Sequence, residues 1–219
     1  MAKQPVLVTL TAPSCAGKSH LLNYIRGERK IPCLVSTTTR PARAGEVEGV
    51  DYFFISEQDS KDIEAQDGFA ELAIYNGVRY GVTKSEFKTK LDTGLTFLIV
   101  EPSGIDHYVK PALDVGAVHL KYFITVPQDV RLQRFKKRLD DDLSQIIHRH
   151  TYQDNDDKKS EEIRVCVEAG LKRYKAMLTV EPTWIDMAAW DGVLSGLDSP
   201  NHNLSVILGK IQQMNLNSI

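Results

Sequence analysis

Several features that mark secreted, membrane-embedded or nucleic-acid-binding proteins are missing from this sequence of 219 residues. Its three cysteines, Cys15, Cys33 and Cys166, have no disulfide or metal-binding spacing, which favours a reducing compartment and no cysteine metal site. No apolar run approaches the roughly 20 residues that span a membrane, and no signal-peptide pattern precedes the first strand-like run. The charges nearly balance, with 27 Lys and Arg against 29 Asp and Glu. We therefore expect a cytoplasmic protein that binds neither nucleic acid nor a membrane.

A segment with a strong phosphate-binding pattern stands near the start of the chain. Residues 12–19 read Ala-Pro-Ser-Cys-Ala-Gly-Lys-Ser, which fits G-x-x-x-x-G-K-[ST] except that Ala12 replaces the first glycine. The strand-like run Val6–Leu10 precedes this loop and a helical pattern follows it, so backbone N–H groups and the helix dipole would attract an anion. Lys18 would reach the β- and γ-phosphates of a nucleotide, and the Ser19 hydroxyl would ligate Mg²⁺. The residues expected to contact the nucleotide are Pro13, Ser14, Cys15, Ala16, Gly17, Lys18 and Ser19.

Strand-like and helical patterns alternate over most of the chain. The further strand-like runs are Cys33–Ser36, Thr96–Val100, His119–Val126 and Thr183–Asp186. The helical patterns are Lys18–Arg26, Gly104–Leu113, Asp129–Leu139, Glu161–Met177 and Leu204–Leu216. This alternation predicts an α/β fold in three layers, with a parallel sheet between helices on both faces.

Two segments break the alternation. Residues 37–91 contain five glycines among short β-type runs such as Tyr52–Ile55, which predicts an inserted, mainly β subdomain. Residues 140–162 are highly charged and are interpreted either as a solvated loop or as a mobile lid. The expected organisation is a single domain over residues 1–219 with a core (1–36, 92–135 and 165–219), an inserted subdomain (37–91) and a lid (136–164).

A second candidate anion site follows the second strand-like run. The chain reads Ser-Thr-Thr-Thr-Arg-Pro-Ala-Arg-Ala-Gly-Glu over residues 36–46 and Gly-Val-Asp-Tyr over residues 49–52. Arg40 and Arg43 lie three residues apart, and the planar guanidinium group matches phosphate oxygens. Composition alone would favour a solvated basic loop, but the order of the residues is more specific than their composition.

These motifs resemble those of the guanylate kinase family. That family carries S-x-T-T-R-x-x-R-x-G-E followed by G-x-D-Y, and its phosphate loop reads G-P-S-G-x-G-K-S. The segments Gly68–Glu71 and Tyr80–Gly81 resemble the family's F-x-E and Y-G segments, and the resemblance covers roughly residues 5–135. It implies a P-loop kinase core with an inserted subdomain that binds a nucleoside monophosphate, and a helical lid.

The resemblance further implies transfer of the γ-phosphoryl group of ATP to GMP or dGMP, assisted by Mg²⁺. The residues implied for the monophosphate are Arg40, Arg43, Tyr52 and Tyr80, and those implied for guanine are Ser36 and Glu71. Glu71 would accept hydrogen bonds from the ring N1–H and the exocyclic amine, a donor pair that adenine lacks. We expect this nucleoside monophosphate to be the partner of a monomer or homodimer.

Two positions depart from the family's pattern around the base. Val82 stands where the family usually has a hydroxyl after Y-G, and Thr83 is next along the chain. Residues 99–101 read Ile-Val-Glu where the family has L-D-x-D, so Glu101 is the acid expected near the base and Mg²⁺. These changes leave open a relaxed site, a modified base or a replacement contact from Thr83.

The family supplies arginines from a helical lid to the transferring phosphates. In this chain Arg131, Arg134 and Arg138 share one face of a predicted helix, and Arg164 lies on the next. Cys166 stands where the family often has another arginine. A surface salt bridge is as good an explanation as catalysis for any one of these arginines. The candidate catalytic residues are Lys18, Arg134, Arg138 and Arg164.

Three functions are compatible with these motifs. The first is a nucleoside monophosphate kinase acting on GMP or dGMP, and the second is a kinase of the same architecture whose acceptor is a modified nucleotide or a sugar phosphate. The third is a catalytically inactive guanylate-kinase-like module that binds proteins. Such modules typically have a degraded phosphate loop, whereas Lys18 and Ser19 are both present, so we expect an enzyme.

Overall fold

The structure, a computed structural model, describes residues 4–42, 45–75, 77–150 and 156–214. Its strands are β1 (Val6–Thr11), β2 (Thr37–Thr38), β3 (Phe53–Phe54), β4 (Phe69–Tyr75), β5 (Val78–Thr83), β6 (Leu95–Ile99), β7 (Val118–Thr125) and β8 (Gly192–Ser195). Its α-helices are α1 (Lys18–Gly27), α2 (Glu57–Ala65), α3 (Lys84–Leu91), α4 (Val109–Asp114), α5 (Gln128–His150), α6 (Asp156–Thr179) and α7 (Pro200–Gln213). Two 3₁₀ helices cover Pro102–Tyr108 and Glu181–Asp186. No helix in this part of the chain is both long and apolar enough to cross a membrane.

A parallel sheet in the order β6–β1–β7–β8 forms the centre of the fold. All six residues of β1 are buried, as expected for a strand that helices cover on both faces. Val6, Val8 and Leu10 belong to one apolar cluster with residues of α1 and α7, and Leu7 belongs to a second with residues of α3 and α4. The α/β fold predicted from the alternation of patterns is confirmed.

The inserted segment forms a second sheet, in the order β3–β2–β5–β4. β2 pairs in parallel with β3 and antiparallel with β5, and β4 and β5 form an antiparallel pair. Ser56 begins α2 with a capping box to Asp59, and Thr83 begins α3 by accepting a hydrogen bond from the N–H of Glu86. The segment therefore contains the predicted strands together with two helices that the sequence analysis did not predict.

The last strand of the main sheet lies at a different place from the predicted one. Residues 183–186, predicted as a strand, belong to a 3₁₀ helix that begins at Glu181. Pro182 has no N–H for a strand ladder and suits the first turn of a helix. β8 instead covers Gly192–Ser195 and pairs with the end of β7. A short apolar run alone does not distinguish a strand from a helical turn.

The second predicted strand, Cys33–Ser36, is reduced to one bridge beside β6. Cys33 pairs in parallel with Phe97. The N–H of Leu34 donates to the carbonyl oxygen of Phe97 at 2.8 Å, after which the chain leaves this sheet and enters β2.

The charged segment after β7 is mostly helical. α5 continues to His150 and α6 begins at Asp156, so most of residues 140–162 form two helices that pack against each other. Only Arg131, Phe135 and His150 are buried in α5. Phe135, Leu139, Leu143 and Ile146 nevertheless keep a helical spacing through the charged run, a signal that the interpretation of this segment as a solvated loop overlooked. Residues 151–155 of the predicted lid lie outside the described residues.

Candidate active site

The loop over residues 12–19 connects β1 to α1. Two of its residues have a left-handed backbone, Cys15 at φ 61° and Gly17 at φ 98°. Gly17 directly precedes the helix, where a side chain would strain this conformation. Left-handed residues alternating with others turn successive N–H groups toward one concave side, which is the backbone arrangement that binds anions. The loop therefore has the geometry of a phosphate site at a helix N-terminus.

Lys18 folds back over this loop. Its Nζ donates a hydrogen bond to the carbonyl oxygen of Ala12 at 2.6 Å. Burial lowers the pKa of Lys18, and the carboxylates of Glu101 and Glu181 act in the opposite direction. Ser19 is exposed in the first turn of α1, so its hydroxyl is accessible to an incoming ligand.

A cavity of about 520 Å³ lies over the loop, a volume typical of small-molecule pockets. Residues 13–20 form one side of it. The other lining residues are Arg134 and Arg138 from α5, Arg173 from α6 and Gly196, which directly follows β8. Three guanidinium groups thus surround the loop that would hold phosphates.

The first two arginines of α5 are bonded to the loop and its surroundings. Arg131 is buried, and its Nη1 lies 2.7 Å from Oε2 of Glu181. Arg134 donates to the carbonyl oxygens of Cys15 at 3.1 Å and Gly196 at 3.3 Å. Both side chains therefore hold protein groups next to the phosphate site.

Arg138 and Arg164 have different surroundings. Arg138 lines the cavity, with its Nε 4.0 Å from Oδ2 of Asp142. Arg164 is exposed, and its guanidinium lies 2.6 Å from Glu161 and 2.8 Å from Glu168. These carboxylates raise the pKa of Arg164. The structure brings Arg138 to the phosphate cavity but leaves Arg164, a predicted catalytic residue, in surface ion pairs outside the cavity lining.

Arg173 is a residue of this site that the sequence analysis missed. It lines the cavity from α6, and its charge contributes to lowering the pKa of Lys18. The only available signal was that Arg173 lies on the same predicted helix as Arg164.

Gly196 is a second missed residue. A Cβ atom added there would lie 2.1 Å from the carbonyl oxygen of Ala16 and 2.5 Å from Cγ2 of Val126. The close approach between the end of β8 and the phosphate loop therefore requires glycine at this position.

Arg40 is oriented by groups of the inserted subdomain. Its two terminal nitrogens each donate to a carboxylate oxygen of Glu46 at 2.9 Å, a bidentate arrangement. Hydrogen bonds to Glu46 and, to a smaller extent, Tyr80 raise the pKa of Arg40. The guanidinium lies 5.4 Å from the ring centroid of Tyr52, which itself meets Tyr80 edge-on at 6.2 Å. Three residues implied for the monophosphate are thus close together, and Arg43 lies outside the described residues.

Glu71 is contacted by two residues of the 3₁₀ helix Pro102–Tyr108 that the sequence analysis missed. The hydroxyl of Tyr108 donates to Oε2 of Glu71 at 2.9 Å, and Nδ1 of His107 lies 3.4 Å from Oε1. Burial, followed by the neighbouring charge of Glu71, raises the pKa of Tyr108 well above its ordinary value. Tyr108 therefore remains a hydrogen-bond donor, and no sequence motif marks either residue.

The pairing of β4 and β5 places two predicted base contacts on opposite faces of the small sheet. Glu71 pairs with Val82, and Tyr80 lies two residues before Val82, so the three share one face. Thr83 pairs with Phe69 on the other face, and its hydroxyl caps α3. Because side chains alternate along a strand, Thr83 lies on the opposite face of the small sheet from Glu71, and its contact with the base stays a prediction.

Ser36 stands at the junction between the core and the inserted sheet. It directly precedes β2 and is half-buried. Its carbonyl oxygen accepts from the N–H of Phe53 at 2.9 Å, which fixes the backbone here.

Glu101 lies at the end of the main sheet where β1 leads into the phosphate loop. It is exposed, and its negative charge partly offsets the lowering of the Lys18 pKa by burial. Across the described ranges, no group of three or more His, Cys, Asp or Glu is placed to hold a metal ion. A magnesium ion needs few protein ligands when substrate phosphates and water complete its shell, and Ser19 and Glu101 suit that donor set.

A buried parallel strand, an anion-binding loop and a helix together define a P-loop nucleotide-binding protein. A family model described as guanylate kinase matches residues 4–170. The chain belongs to the guanylate kinase family.

Individual relatives agree with this assignment. The guanylate kinase of Chlamydia muridarum is 36% identical over 132 residues, which are 59% of this chain and 62% of that protein. The guanylate kinase of Mycoplasma genitalium is 32% identical over 151 residues, 65% of this chain and 60% of its own length. The matched region thus spans about three fifths of each relative's length. The crystal structure of guanylate kinase from Anaplasma phagocytophilum has the same fold, with a TM-score of 0.54 at 19% identity over 99% of this chain and 88% of that one.

Proposed function

We propose that this protein transfers the γ-phosphoryl group of ATP to GMP or dGMP. The observation that carries the proposal is a phosphate loop in the core together with a buried carboxylate, Glu71, in the inserted sheet. An ionised carboxylate only accepts hydrogen bonds, and the guanine edge formed by N1–H and the exocyclic amine only donates. Adenine would leave the carboxylate, whose side chain is 8% exposed, without that donor pair, which costs binding free energy.

The phosphate loop and its arginines would supply the charge stabilisation that phosphoryl transfer requires. The loop N–H groups that follow Ser14 would hold the triphosphate, and Lys18, Arg138 and Arg173 would face the transferring group. Arg134 would act mainly by holding the loop, since its bonds go to loop and neighbouring carbonyl oxygens.

The acceptor would be positioned by the inserted subdomain. Arg40, Tyr52 and Tyr80 would bind the monophosphate, and Arg43 is proposed as a further phosphate ligand from the family motif. The acceptor phosphate is already an anionic nucleophile, so no general base is required. Ser19 and Glu101 would hold Mg²⁺, which neutralises charge on the β- and γ-phosphates when bound.

The test is ADP formation from Mg-ATP with a panel of acceptors: GMP, dGMP, AMP, dAMP, CMP, UMP and dTMP. Turnover with GMP or dGMP alone is the expected result. Lys18→Ala should lower that turnover by at least about 10²-fold, the cost of removing one preorganised charge-stabilising group. The matched control is Lys61→Ala, which removes an exposed lysine paired with Glu57 on α2.

Other outcomes would replace the proposal. Activity on a different acceptor alone would indicate that Val82 and Glu101 changed the specificity. ATP binding without turnover on the panel would indicate an acceptor outside it, such as a sugar phosphate. An absence of ATP binding would indicate a protein-interaction module.

A further inference from the structure

Ser14 of the phosphate loop is hydrogen-bonded to a residue that lies far from it in the sequence. Glu181 begins the 3₁₀ helix after α6, 167 residues away, and is only 4% exposed. Its Oε2 accepts from the N–H of Ser14 at 3.0 Å, and its Oε1 accepts from the Ser14 hydroxyl. Both donors of Ser14 are therefore turned toward Glu181.

The charge of Glu181 is balanced within the protein. Nη1 of Arg131 lies 2.7 Å from Oε2 of Glu181 and 3.5 Å from the carbonyl oxygen of Ser14. Both side chains are about 5% exposed or less, so this is a buried pair rather than a solvent-screened surface bridge. Arg131 cancels a negative charge that would otherwise repel phosphates beside the loop.

The backbone conformation of Cys15, the residue after Ser14, explains why the loop needs the hydrogen bonds to Glu181. Cys15 has φ 61°, a left-handed conformation that costs free energy for a residue with a side chain. Strained backbone of this kind persists where its surroundings fix it. Glu181 holds the loop on one side of Cys15, and Arg134 holds the carbonyl oxygen of Cys15 itself at 3.1 Å.

We propose that Glu181 is a positioning residue for the phosphate loop, which sets the loop conformation that binds the triphosphate of ATP. The pair with Arg131 joins that loop to α5 and to the segment after α6. This inference rests on the proposed ATP-dependent function. It concerns only the binding of ATP, the phosphoryl donor, and is independent of the base of the acceptor nucleotide.

The test compares Glu181→Gln and Ser14→Ala with the wild-type protein. The readouts are the Kd of the β,γ-imido analogue of ATP by calorimetry and the separate KM values of ATP and GMP. Glu181→Gln replaces a carboxylate by an amide beside the hydrogen-bond donors of Ser14 and Arg131. We expect it to raise the Kd of the ATP analogue and the KM of ATP at least about tenfold, while the KM of GMP stays within about twofold of the wild-type value. Ser14→Ala removes only the hydroxyl, and we expect a rise of about threefold.

The matched control is Glu64→Gln, which removes the negative charge beside buried Arg79, away from the phosphate loop. It should leave the Kd of the ATP analogue unchanged. A merely structural role of Glu181 would lower the Tm without moving the ratio of the two KM values. A folded Glu181→Gln protein with the wild-type Kd overturns the inference, and if that variant does not fold, an unchanged Kd in Ser14→Ala does so.

The two proposals fail in different ways. If the wild-type protein does not bind the ATP analogue, both fall. If it binds the analogue and phosphorylates GMP while the variants match it, only the role of Glu181 is wrong.

Discussion

The hydroxyl of Tyr108 donates a hydrogen bond to Oε2 of Glu71 at 2.9 Å. Glu71 belongs to β4 of the inserted sheet, whereas Tyr108 ends a 3₁₀ helix of the core and packs in a cluster with Leu7 and Phe87. The carboxylate proposed to read the base is therefore held by the core, and not only by the subdomain that carries it.

Tyr108→Phe should weaken acceptor binding without affecting the donor nucleotide. A hydrogen bond to a charged group contributes about 1.5–3 kcal/mol, so we expect the KM of GMP to rise by about tenfold or more. Steady-state kinetics with each substrate varied in turn would measure this, and the KM of ATP should not change. The control is Tyr122→Phe, which alters a buried tyrosine of β7 in the core. Equal KM values for GMP in the two variants would contradict the role of Tyr108.

Arg173→Gln and Arg164→Gln should show which arginine of α6 acts in catalysis. The structure places Arg173 at the phosphate cavity, whereas the sequence predicted Arg164. Arg173 lines the phosphate cavity, so its loss should lower kcat by about 10²-fold. Arg164 lies in exposed ion pairs, so its loss should change activity less than twofold and leave stability nearly unchanged. A larger loss of kcat in Arg164→Gln would show that Arg164 acts in catalysis.

Gly196→Ala should disturb the phosphate loop from outside it. The added methyl group would meet the carbonyl oxygen of Ala16 at 2.1 Å, and relieving such overlap typically costs about 1–3 kcal/mol. Thermal unfolding should show the lower stability, and the KM of ATP should rise. Gly209→Ala is the control, because nothing lies within 4 Å of its added Cβ in α7. That change should be neutral or stabilise the helix by up to about 1 kcal/mol.

Stability should fall in mild acid because of His119. Burial lowers the pKa of His119 from 6.5 to about 4. The positive charge of Lys121 adds a smaller lowering, and the carboxylates of Asp191 and Asp106 act in the opposite direction. Between these values the unfolded chain binds a proton on His119 that the folded protein does not, so stability decreases as the pH falls from about 6.5 to about 4.

Urea unfolding of the wild type and His119→Gln across this pH range would measure the effect. Oγ1 of Thr9 lies 2.9 Å from Nε2 of His119, and Gln can retain a hydrogen bond there. The stability of the wild type relative to the variant should be constant above about pH 7 and fall below it. A difference in stability that does not change with pH would refute the conclusion that the half-buried His119 stays neutral in the folded protein.

The phosphate loop could be located from local order alone. Gly17, Lys18 and Ser19 stand between an apolar run and a helical pattern, and the anion site consists mainly of contiguous backbone groups. The spacing of neighbouring residues in the sequence is therefore sufficient to predict the phosphate loop. The grouping of Arg40 with Tyr52 likewise follows from a short motif.

The remaining features depend on contacts between residues far apart in the chain. The strand β8, rather than residues 183–186, completes the sheet because its backbone fits beside β7, and apolarity alone did not distinguish the two segments. Glu181, Arg173 and Tyr108 carry no motif, because each acts on a group that only folding brings near it. Residue spacing records periodicity along one element, whereas the packing of helices and strands decides which distant side chains meet. Here that packing supplies the residues that support the phosphate loop and the proposed base contact, Glu71.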